Sequence, residues 1–132
     1  MTREFILETL LPYKEDPSTC AMEKNYCLYL TSDGKKCAVG KHLRKGKHQL
    51  SKNGVMELDE EYGLNNILLS KAKKQNISIN IWKIIQNYHD NVARWNKCIK
   101  SEKEYNLNCI NKAVNILEES TNFKFPELRF AE

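Results

Sequence analysis

Residues 78–100, "SINIWKIIQNYHDNVARWNKCIK", constrain the fold more than any other stretch of the chain. Ile81, Ile84, Ile85, Tyr88, Val92 and Trp95 recur at intervals of three and four, which puts one broad apolar stripe on a helix. Ser78 or Asn80 stands where a side chain caps the first turn. Such a stripe is stable only when other elements cover it, and two further segments carry the same period. Thr2 caps a predicted helix bearing Phe5, Ile6, Leu7, Leu10 and Leu11, with Pro12 as its stop. Leu107, Ile110, Val114 and Leu117 mark a final helix that fades by Asn122. Asp59 is placed to cap one more, through Leu64, Ile67, Leu68 and Ala72 to the basic "KAKKQN". The tail, 123–132, docks by Phe125 or Phe130, or frays.

The period changes in "YCLYLTSDGKKCAV", where Tyr26, Leu28 and Leu30 alternate with Cys27, Tyr29 and Thr31. Ser32-Asp33-Gly34 supplies a turn, so residues 26–39 read as a β-hairpin. Residues 40–58 have three glycines and no sustained period, and read as a long basic loop. The expectation is one α+β domain over residues 1–132, about four helices with one hairpin at an end of the bundle. Each helix buries a single stripe, which leaves room for homo-oligomerisation. No apolar run reaches the roughly 18 residues of a membrane span, and the acid-bearing start lacks a secretory pattern, so the chain is expected to stay in the cytoplasm of the cell that makes it.

The formal charge of +4 conceals an uneven distribution. From Gly34 to Met56 lie Lys35, Lys36, Lys41, Arg44, Lys45, Lys47 and Lys52, two histidines (His42, His48) and no acid. The other 14 of the 21 Lys and Arg face 17 acids, so the rest of the chain is mildly acidic. Arginine and lysine beside glycine-bearing turns suit phosphate, Arg44 by engaging two oxygens at once. Lys36, Lys41, His42, Arg44 and Lys47 are therefore candidate ligand-binding residues, with His89 and Trp95 as walls of the pocket. Binding of extended nucleic acid is not expected, because no recognised motif accompanies the charge.

Five cysteines, an odd number without a secretory signal, read as reduced thiols. Cys20, Cys27 and Cys37 are separated by six and nine residues, which is not a zinc knuckle. A hairpin could still set Cys27 opposite Cys37 with His42 or His89 nearby, yet free cysteine more often packs as a small apolar group. No metal and no cofactor are expected. His89-Asp90 has the order found in metal phosphohydrolases, but no later Asp completes such a site. No cysteine and histidine form a local nucleophile signature, and "GKKCAVGK" lacks phosphate-loop spacing. The chain is not expected to be an enzyme.

Cys27, Tyr29, Gly34, Lys36, Cys37, Ala38, Val39 and Gly40, followed by His89, Asp90 and Trp95 in "YHDNVARW", form a pattern. It resembles that of small uncharacterised bacteriophage proteins, over about a quarter of the chain. Those proteins continue with a further cysteine where this chain has Lys41, His42 and a basic insertion. The resemblance implies a phage accessory protein acting in the host cytoplasm. Counter-defence is the expected role: sequestering a phosphate-bearing signal such as a signalling nucleotide, or docking the basic loop on an acidic surface of a host protein.

Overall fold

The computed structural model describes residues 1–23, 26–46 and 54–131. Six α-helices occur among them: α1 (Arg3–Glu15), α2 (Val55–Tyr62), α3 (Leu64–Ile67), α4 (Ser70–Lys73), α5 (Ile79–Lys97) and α6 (Lys103–Thr121). Two short antiparallel strands, β1 (Met22–Glu23) and β2 (Tyr26–Cys27), complete a small α+β domain. No described helix is long and apolar enough to cross a membrane.

Helix α5 is the axis, with α6 along one side and α1 and α2 on others. The Ser78 side chain accepts the Ile81 N–H and so satisfies one of the free donors of the first turn. Trp82, Ile85, Tyr88, His89 and Val92 are fully buried, whereas Ile81, Ile84 and Trp95 are only partly covered. The buried face is thus rotated from the purely apolar stripe towards Trp82 and His89, because α1 lies on that side: Phe5 meets the Trp82 indole edge-on at 6.2 Å. On α6, Ile110, Val114 and Leu117 face the core, and Asn122 ends the helix in a left-handed conformation that asparagine tolerates. The tail docks through Phe125 and Leu128, and Tyr88 Oη donates to the Leu128 carbonyl.

Three boundaries differ from the sequence expectation. Helix α1 passes through Pro12 to Glu15, since a proline in the last turns removes only one hydrogen bond and the Pro12 carbonyl still accepts from Asp16. The segment expected as one helix from Asp59 is broken at Gly63, whose φ of 71° suits glycine; Asp59 lies inside α2 and its carboxylate accepts the Leu64 N–H at the start of α3. The two-stranded ladder is at 22–27, and residues 30–36 close through one bridge, Leu30 to Lys36. There the Thr31 side chain takes the Lys35 N–H, giving the backbone an alternative to a ladder. Within 40–58, Gly40–His42 forms a 3-10 turn and 55–58 belong to α2, while 47–53 lie outside the described residues.

Gly40 is where the chain tolerates no side chain, since a Cβ there would stand 2.0 Å from the Tyr29 carbonyl oxygen, a backbone atom. Gly40→Ala is expected to destabilise the fold by at least about 3 kcal/mol. Gly34→Ala, at φ 88° but with nothing within 4 Å, should cost about 1 kcal/mol. Urea unfolding of the two variants measures the contrast, and equal losses would contradict the close approach.

Candidate functional site

Ala21, Cys27, Val39, Gln86, His89 and Asp90 meet in one polar cluster between the segment 21–39 and α5. Two backbone donors set its polarity. The Ala21 N–H donates to His89 Nε2 at 3.0 Å, so that nitrogen carries no proton, and the proton sits on Nδ1, 2.9 Å from Asp90 Oδ1. The Val39 N–H donates to Gln86 Oε1 at 3.0 Å, which turns Gln86 Nε2 towards the same Asp90 oxygen at 2.8 Å. Cys27 Sγ lies within 4.8 Å of the Asp90 carboxylate. Residues 86, 89 and 90 are spaced by three and four on α5, so one helical face presents all three.

Cys27, His89 and Asp90 place one ligand-type atom each within 4.8 Å of the others, a spacing that could hold a cation. The tautomer argues against that use. A metal on Nδ1 would need the proton moved to Nε2, where it would meet the Ala21 N–H. The same geometry removes His89 as a general base, because its one lone pair is already engaged. Nor do the thiols offer a nucleophile. Burial, reinforced by Asp90, pushes the Cys27 thiol well above its ordinary range, and burial pushes Cys20 and Cys37 up to about 12. Cys37 accepts the Gly40 N–H at 3.2 Å, and Tyr13 meets His89 edge-on at 4.7 Å. The cluster is built to fasten segments together.

The expected phosphate ligands do not converge. The Lys41 ammonium turns inward, donates to the Thr9 carbonyl at 2.7 Å and lies 4.2 Å from the centre of the Tyr13 ring; burial lowers its pKa to about 8. His42 lies 4.7 Å from the Phe5 ring and 5.7 Å from that of Trp82. Thr9 Oγ1 gives its proton to the Phe5 carbonyl, so it accepts from His42 Nε2 at 2.9 Å. His89 is fully buried, and Trp95, six residues further along α5, packs against Phe130 beneath the Lys103 ammonium. Lys36 has its backbone carbonyl fixed by Tyr13 Oη and its side chain exposed. Lys47 lies outside the described residues.

Arg44 and Lys45 are exposed. The antiparallel Leu43–Leu68 bridge, with Arg44 N–H to the Ile67 carbonyl at 2.8 Å and Leu69 N–H to the His42 carbonyl at 2.7 Å, joins their segment to the one that leads into α4; Arg44 and Lys45 run from the bridge past Ile67, and Lys71, Lys73 and Lys74 follow Leu69 in the other direction. All five cations are exposed, and among the described residues Lys71 pairs with Glu8 at 3.7 Å. "KAKKQN" was legible as a basic helix end; the link between its segment and that of Arg44 depends on a single long-range bridge. In comparison with known proteins, the chain matches no protein-family model, no curated protein and no solved structure.

Burial between Phe5 and Trp82 lowers the His42 pKa from 6.5 to about 4. Between those values the unfolded chain binds the extra proton and the folded chain does not, so stability falls as pH drops from about 6.5 to 4. This contribution is expected to be about 2 to 3 kcal/mol. Urea unfolding of wild type and His42→Gln at pH 7 and pH 4.5 checks it: the advantage of wild type should shrink at the lower pH. An advantage independent of pH would show that His42 does not titrate in this way.

Proposed function

We propose that the chain is a non-catalytic binding protein that engages an anionic partner through the exposed cations of the two segments joined at the Leu43–Leu68 bridge, Arg44 and Lys45 on one and Lys71, Lys73 and Lys74 on the other. The observation that carries this reading is that all five cations are exposed on segments joined by that bridge. Clustered exposed cations steer and hold an anionic surface. Within the bacteriophage resemblance, the partner is an acidic surface of a host defence protein, and the chain acts in the host cytoplasm by occluding it. Sequestration of a signalling nucleotide draws less support, because Lys41 and His42 are engaged internally and His89 is fully enclosed. The absence of catalysis is supported by the engaged His89 lone pair and the raised thiols.

Arg44→Glu, Lys45→Glu and Lys71→Glu together reverse six charge units on exposed positions, so stability should change by about 1 kcal/mol or less. Wild type should bind immobilised polyglutamate at low salt and lose it as salt rises, and the variant should not bind. In infected cells the variant should fail to protect phage from host defence. Protection equal to that of wild type would sink the proposal. A melting temperature raised by one member of a cyclic-nucleotide panel would instead favour the sequestering role.

A further inference from the structure

A groove of about 590 Å³ runs between the first turn of α2 and the α5–α6 pair and shares no lining residue with the basic segments. That volume is in the range of small-molecule sites. Ile84, Met56 and Ile116 supply apolar surface, and the last two are each 39% exposed, so the surface is open to solvent. Among the described residues, three ionisable ones line it: Glu57, Lys83 and Asp90, two carboxylates against one ammonium. Their positions differ in consequence. The Glu57 carboxylate folds back on Gly54 at the start of α2, 2.9 Å from where a Cβ would be. Lys83 lies seven residues before Asp90, about 10 Å away along the helix. Asp90 therefore sets the charge at its own end of the groove.

The Asp90 carboxylate is oriented from behind. Gln86 and His89 both donate to Oδ1, while a carboxylate offers about four lone-pair positions. Positions remain for a ligand, and the side chain is 22% exposed. An acceptor held in place by two donors, next to an apolar surface, suits a donor-bearing cation attached to an apolar body.

We propose that this groove binds a small amphiphilic amine, with its ammonium against Asp90 and its apolar body along Ile84, Met56 and Ile116. This site is separate from the basic face and does not depend on it. The probes are 4-phenylbutylamine and its neutral analogue 4-phenylbutan-1-ol, titrated into the full chain while the Ile and Met methyl signals are followed by NMR. The amine should shift the Met56, Ile84 and Ile116 methyls and bind about five to ten times tighter than the alcohol. Asp90→Asn should erase that preference. Because Asp90 also serves the interior cluster, Ile116→Lys, at an open helical position, provides a second variant: it should fold normally and lose the amine. Equal affinity for amine and alcohol, shifts elsewhere than these methyls, or undiminished binding by Ile116→Lys would each overturn the proposal.

Discussion

A buried imidazole with one acceptor nitrogen and one donor nitrogen accepts only one arrangement of neighbours. In this chain, Ala21 supplies the donor and Asp90 the acceptor, and Gln86, oriented by Val39, supplies a parallel link. The four groups join residues 21 and 39, near the two ends of the least regular part of the fold, to a single stretch of α5. A ladder of two residue pairs could not hold that segment alone, because isolated hairpins are marginal in water. Each link adds only about 1 kcal/mol net, but breaking one leaves a buried donor or acceptor at a cost of about 1 to 3 kcal/mol. The cluster therefore specifies the position of the segment more than it adds to total stability. Gly40 completes the closure by letting the Tyr29 carbonyl approach where a side chain would stand.

That dependence explains which parts of the fold were legible. Periodicity locates α5 and α6, and capping chemistry locates the starts of α1 and α5, because a helix's apolar face and its first-turn donors are local properties: Thr2 and Ser78 accept the N–H groups of Phe5 and Ile81 as their positions suggest. The hairpin type is legible but its register is not. Alternation in 26–31 describes side chains that prefer extended backbone, whereas the ladder at 22–27 is selected by where Ala21 meets His89. Gly63 was available as a break, yet the apolar spacing on either side of it continues smoothly enough to suggest one helix.

The site residues divide along the same line. A run of basic residues reads as uniformly exposed, but the 3-10 turn at Gly40–His42 sends Lys41 and His42 into α1, where the Thr9 carbonyl and hydroxyl receive them. Lysine and histidine can be drawn inward when polar partners await them, and no local pattern reports that α1 provides such partners. Arg44, two residues on, faces solvent, and a bridge across 25 positions in sequence, Leu43 to Leu68, joins its segment to the one that leads to Lys71, Lys73 and Lys74. Charge counted along the chain and charge displayed on the surface are thus different quantities. Cys37 and His89 show the same separation: ligand-like in composition, they are committed by burial and tautomer to internal links.

His89 holds these links as the Nδ1–H tautomer, with Nε2 accepting from Ala21. Long-range 1H–15N correlation of the imidazole in the folded protein tests it directly. The expected result is a protonated Nδ1, an unprotonated Nε2, and an Ala21 amide that exchanges with solvent only on global unfolding. A protonated Nε2 together with a fast-exchanging Ala21 amide would contradict it.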